Sequence, residues 1–294
     1  APAGSGKSTL LAQWRRALVA GGRTVCWLSL DESDSRESLF LASLVAALAH
    51  GGCAVGRDAL VDYEQQRRAD AGERFIAELV NELCALRGHA HLFLDDFHLV
   101  GAERVPALVR RLVQYAPPHL HLVVASRALP DLGLAQLGLG ERATVHEARE
   151  LRFDFEETRA FLQERLTVRV GPGELRTLYD VTEGWVGGLQ LAALALNRVQ
   201  NVPDYVRGFA RGSRDIGEYL AAEVLARLPD EVVAFLVRTA VLSRFNADLC
   251  EYVSGIHGCE RLLRRIEAEN LFVIPLDREG RWYRYHHLFQ ALLR

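Results

Sequence analysis

The residues with the most chemistry in the fewest positions open the chain: "APAGSGKST" at 1–9. Gly6, Lys7 and Ser8 end the pattern G-x-x-x-x-G-K-[ST], with Ala1 where its first glycine stands and Gly4 adding flexibility. In such a loop the backbone N–H groups of Gly4, Ser5 and Gly6 converge on phosphate oxygens. Lys7 places a point charge at the β and γ phosphates, and the Ser8 hydroxyl, followed by Thr9, is a magnesium ligand. A phosphate loop also needs an acidic strand end, and "HLFLDDF" supplies Asp95 and Asp96. Asp95 is assigned to the magnesium shell and Asp96 to positioning the attacking water, or the reverse. Arg127 closes a second apolar strand, "VVASR". Ligands of open parallel sheets lie outside the carboxyl ends of the strands, so Arg127 is read as a sensor of the γ phosphate. The cofactors implied are ATP or ADP with Mg2+.

Elements that alternate must position these groups. "STLLAQWRRALVAGG" has helical spacing and stops at Gly21-Gly22, "RTVCWLSLD" reads as a buried strand, and "SDSRESLFLASLVAALAH" as a helix with capping residues at its entry. Residues 51–71 read as polar and irregular. Helix, strand, helix and strand follow at "GERFIAELVNELCALRG", "HAHLFLDDFHLV", "VPALVRRLVQYAPP" and "HLHLVVASRALP". This alternation predicts an α/β domain with a parallel sheet covered by helices on both faces. Near Leu151 the composition shifts to helical patterns, and the last segment reads as helix, then "FVIPL" and "WYRYH" as a hairpin, then helix. The expected domains are a P-loop nucleotide-binding domain at 1–152, a helical domain at 153–212 and a winged helix at 213–294. The first strand of the sheet is expected upstream of Ala1, and both ends read as cuts within a larger protein.

Composition narrows the function classes. With 35 Lys and Arg against 38 Asp and Glu, the formal charge of −3 excludes a generally basic nucleic-acid or membrane surface. The five cysteines form no C-x-x-C pair and are odd in number, which argues against a disulfide framework or zinc module. Without a signal segment or a spanning apolar run, a cytoplasmic location and no membrane partner are expected.

The segments "APAGSGKSTLLAQW", "LFLDDFHLV", "VVASRALP", "ELRFDFEETRAFL", "TEGWVGGLQLAALAL" and "RYHHLFQALLR" occur in an order that resembles the signal-transduction ATPases with numerous domains. The likeness is to the large ATP-dependent LuxR-type transcriptional regulators, the maltose-regulon activator among them, and covers essentially the whole chain. It implies an ADP-bound closed monomer that inducer and ATP open for self-association, with slow ATP hydrolysis resetting it. Inducer would act through C-terminal sensor repeats, and DNA would be bound by a C-terminal helix-turn-helix, both absent from these 294 residues. The resemblance also implies two further nucleotide contacts: His286 at the β phosphate, locking the closed state, and a Gly-x-Pro element near adenine, matched by Gly184, Trp185 and Val186. Valine replaces proline there, and Trp185 reads as a core residue at a helix entry. Two other classes share the same loop: a motor or loader turning over ATP continuously, and a scaffold that holds ADP without hydrolysis.

Overall fold

The computed structural model describes residues 1–65, 69–86, 88–101, 103–134, 142–210, 214–269, 271–277 and 279–294. They divide into two compact units: Lys7–Val145, and Ala1–Gly6 together with His146–Arg294.

In the first unit, helix α1 (Lys7–Ala20) leads through Gly22, at φ +70°, into strand β1 (Thr24–Ser29). An Asp31 capping box starts a short 3-10 turn ahead of α2 (Glu37–His50). Helices α3 (Arg57–Gln65) and α4 (Ala71–Ala85), strand β2 (Ala90–Asp95), helix α5 (Arg104–Tyr115) and strand β3 (Leu120–Val124) follow. The three strands pair in parallel in the order β1-β2-β3, with Ser29 opposite Asp95 and Leu94 opposite Val124. This is the α/β parallel sheet expected. Central β2 is apolar on both faces, as a strand covered on both sides must be. Leu92 and Leu94 point into a core with Phe40, Leu44, Phe75, Leu79 and Val109, while Phe93 points the other way with Leu11, Val25 and Ala125.

Helix α3 corrects the irregular reading of residues 51–71. Its periodicity is short and polar, with Ala59 alone buried, while Leu60 and Tyr63 are half-buried against the core. Tertiary contacts make the entry turn: Gly56, at φ +81°, donates its N–H to Glu82 Oε2 at 2.8 Å.

The second unit is helical, with one hairpin. Helices α6 (Phe155–Arg165), α7 (Pro172–Thr182), α8 (Val186–Leu196), α9 (Val202–Ala210), α10 (Arg214–Glu223), α11 (Asp230–Thr239), α12 (Ala247–Ser254) and α13 (Cys259–Ala268) precede strands β4 (Val273–Pro275) and β5 (Tyr283–Tyr285) and helix α14 (His287–Leu293). Local chemistry starts several of them: an Asp154–Glu157 capping box at α6, Pro172 in the first turn of α7 and Asn246 capping α12. The strands β4 and β5 are antiparallel, with Val273 opposite Tyr285, and Phe245 bridges to Tyr283. Three helices and a hairpin around buried Phe235, Phe245, Tyr285 and Phe289 make the expected winged helix. Inside it, the Tyr285 and Thr239 hydroxyls are 2.7 Å apart, which satisfies both buried groups. No helix among the described residues is long and apolar enough to cross a membrane.

Phe93 is fully buried, stacks on Trp27 at 5.4 Å and meets Trp14 edge-on at 5.7 Å. Phe93→Ala is expected to destabilise the sheet unit by about 3–5 kcal/mol, measured by urea unfolding followed through tryptophan fluorescence.

Candidate functional site

The residues singled out from sequence fall into two groups, one in each unit. In the sheet unit, Asp95 ends β2 and is only 4% exposed. Its Oδ1 accepts the N–H of Asp96 at 3.0 Å, and its carbonyl accepts the N–H of Leu30 at 3.0 Å. Asp96 turns the chain at φ +56°, a left-handed conformation that aspartate tolerates better than most side chains, and it is half-buried. Its carboxylate is 3.9 Å from His98 Nδ1, too far for a hydrogen bond. Arg127 is half-buried, three residues beyond the end of β3. Lys7 begins α1, and Ser8 and Thr9 stand exposed in its first turn.

Electrostatics ties four of these groups together. Burial, and then the charge of Arg127, push the Lys7 ammonium down to about 8, while Asp96 and Asp95 pull it back up. Two cations that disfavour one another and two carboxylates offer charge partners of both signs, to an anion and to a divalent cation carried with it. Magnesium takes few protein ligands and completes its shell with water and phosphate oxygens, so the hard donors Asp95 and Ser8 fit it. Among the described residues no group of three or more His, Cys, Asp or Glu could hold a metal by itself.

In the other unit the loop residues Ala1–Gly6 are gripped by the start of α8. Gly4 and Gly6 have φ of +70° and +80°. The Ala3 carbonyl accepts the Trp185 indole N–H at 2.9 Å, and the Gly4 carbonyl accepts the Gly187 N–H at 2.8 Å, one of the helix's first-turn donors. A Cβ on Gly4 would meet the Trp185 ring at 2.9 Å, whereas one on Gly6 would meet open space. Trp185 is buried, as its core reading required, and it also holds the loop.

His286 is 1% exposed. Its Nε2–H donates to the Thr182 carbonyl at 3.0 Å, and Nδ1 accepts the Leu288 N–H at 3.3 Å, capping α14. Both ring nitrogens are engaged as a neutral imidazole. Burial, opposed by Glu183 and the Thr182 hydrogen bond, pushes its pKa down to about 4. Beside it, burial would raise the Glu183 carboxyl, but Arg284, His286 and Arg152 hold it down to about 2. Arg284 grips Glu183 through two bonds, at 2.7 and 2.8 Å.

Ser5, Val186 and His286 line one cavity in this unit, together with Pro2, Arg152, Trp185 and Phe272. Sequence reasoning named the first three as contacts and missed Arg152, Phe272 and the supporting Glu183. Backbone strain could not be seen in advance either. Among the described residues the non-glycine positions at positive φ are Asp96, Glu183 and Phe272, and each belongs to one of these two groups.

Because His286 stays neutral in the fold while an ordinary imidazole titrates near 6.5, the unfolded chain binds the extra proton first as pH falls. Its contribution is therefore complete above about pH 6.5 and lost progressively toward pH 4, by up to about 3 kcal/mol. Urea unfolding at pH 7 and 4.5 is expected to show this loss, and His286→Gln to flatten it.

Residues 221–294 match the MalT winged helix domain family. Aligned over 297 positions, the HTH-type transcriptional regulators MalT of Cronobacter sakazakii and of Yersinia enterocolitica are 34% and 33% identical to this chain. Each alignment covers 100% of the chain and 32% of the relative, so the chain spans about a third of the length of the curated relatives it matches. A solved structure of the Aeropyrum pernix ORC1 protein in complex with DNA superposes on 99% of this chain and 84% of that one, at 15% identity and a TM-score of 0.44, too loosely to carry an argument. Over its full length, this chain is similar to about a third of the length of the MalT transcriptional regulators, and its residues 221–294 match the winged helix domain named for them.

Proposed function

We propose that the chain is the nucleotide-binding switch module of a MalT-like transcriptional regulator, divided into a P-loop domain at 1–152, a helical segment at 153–212 and a winged helix at 213–294. The observation that supports this most directly is that Lys7 feels the charges of Arg127, Asp96 and Asp95, with Asp95 ending β2 and Arg127 lying three residues beyond β3.

In this reading the N–H groups of Gly4, Ser5 and Gly6 and the Lys7 ammonium bind the phosphates, while Ser8 and Asp95 hold magnesium, with Thr9 beside them. Magnesium, when bound, supplies charge neutralisation on phosphate oxygens. Asp96 orients water for attack on the γ phosphate, and Arg127 answers to the presence of that phosphate. Val186 gives apolar surface for the adenine. His286 exchanges the Thr182 carbonyl for a β-phosphate oxygen using the same Nε2–H donor, which couples the winged helix to the diphosphate. ADP then favours a closed monomer, and ATP with inducer an open, self-associating form. The nucleotide shifts this balance only through contacts that differ between the two states. Inducer and DNA are bound by other parts of the full regulator, in the cytoplasm, and hydrolysis is slow.

The test is calorimetric titration of the chain with ADP and ATP. Lys7→Ala is expected to weaken both by about 100-fold or more, the scale of losing a charge-assisted phosphate contact in a partly buried site. Asp95→Asn is expected to keep ADP binding while removing its magnesium dependence. Nucleotide affinity indifferent to Lys7→Ala would overturn the reading.

A further inference from the structure

One wall of the cavity holds a cation that no sequence motif accounts for. Arg152 lines it beside Ser5, Trp185 and Val186. Its Nη1 donates to Glu183 Oε2 at 3.1 Å, and Arg284 donates to both oxygens of the same carboxylate, at 2.7 and 2.8 Å. One carboxylate thus serves two guanidinium groups, and the trio carries a surplus positive charge.

The two arginines are held unequally. Arg284 has the paired grip that fits a planar guanidinium to a carboxylate, while Arg152 has a single longer bond. The Arg152 side chain is 33% exposed, against 15% for Glu183, so its remaining donors are within reach of a ligand. The other side chains lining the cavity include apolar Val186 and Phe272, the Trp185 ring, and the neutral His286 imidazole. A surplus guanidinium on a half-buried wall, close to loop residues whose pattern cradles phosphate, is matched by an anion.

We infer that Arg152 is a phosphate-binding residue of the nucleotide site, kept at the cavity wall by Glu183 and turned from that carboxylate to a phosphate oxygen when nucleotide binds. This rests on the nucleotide-module reading above. It adds a ligand contact from the segment ahead of α6, and it makes Glu183 the positioning residue for that contact.

The experiment measures ADP and adenosine affinity on the 294-residue chain for wild type, Arg152→Ala, Arg152→Lys, Glu183→Gln and Lys7→Ala, with thermal melts alongside. Arg152→Ala is expected to weaken ADP by about 10- to 100-fold, the range for a hydrogen bond to a charged group, and to leave adenosine within about twofold. Arg152→Lys keeps the charge without the fork and should fall between, which covers the case in which the alanine variant does not fold. Glu183→Gln should bind ADP at least as tightly as wild type, because the competing carboxylate is gone, while melting at a lower temperature. ADP affinity within about twofold of wild type in Arg152→Ala, or equal weakening of ADP and adenosine, overturns the assignment. If Lys7→Ala also leaves ADP binding intact, the phosphate-loop reading fails and the Arg152 contact falls with it. Loss on Lys7→Ala alone isolates the failure to Arg152.

Discussion

The turn at 182–187 ties the helical unit together, because five of its residues bond to different segments of chain. Thr182 accepts from His286 on the winged helix, and Glu183 binds Arg284 on β5 and Arg152 ahead of α6. Gly184 accepts the N–H of Phe153, Trp185 donates to Ala3, and Gly187 donates to Gly4. No one of these bonds is strong in net terms, since each replaces a bond to water. Their effect is geometric: the start of the chain, the entry to α6 and the winged helix are referred to one short piece of backbone.

That backbone is strained, and its surroundings explain how the strain persists. Glu183 and Gly184 take left-handed φ of +51° and +72° in succession. A Cβ at Gly184 would lie 2.0 Å from the Phe153 carbonyl oxygen, so glycine is required there on two grounds. Glu183 has no such excuse. It is held by arginine pairs that keep its carboxyl charged down to about pH 2, and breaking them would leave an uncompensated charge mostly out of water. Phe272, also left-handed at φ +57°, is wedged edge-on against Trp185 at 5.3 Å and stacked on Phe289 at 5.4 Å. Left-handed backbone at non-glycine positions persists only where the surroundings over-determine it, as they do at Glu183 and Phe272. The sheet unit makes its site differently: parallel pairing alone brings the ends of β1 and β2 level, and Asp95 and Asp96 follow from where β2 stops.

Much of this was legible beforehand, for reasons that can be named. The acidic strand end and Arg127 are local patterns next to strong apolar runs, and the parallel order puts Asp95 at the carboxyl end of β2 and Arg127 just beyond that of β3. Helix α3 was not legible because its stability comes from Leu60, Tyr63 and Gly56 meeting α4 and the core, contacts distant in sequence. Trp185 was read correctly as core from its type. Its indole bond to Ala3, across 182 residues, has no sequence signal.

By itself, then, the sequence determined the order of elements, the apolar central strand and the residue types able to meet phosphate and magnesium, since these depend on periodicity and short spacing. Tertiary structure alone decided that Arg152 and Arg284 share Glu183, that both nitrogens of His286 are engaged, and that Trp185 holds the loop. The physical reason is that a charge or a ring nitrogen acquires its role from what it is buried against. Burial partners here are brought together by packing from segments up to 182 residues apart.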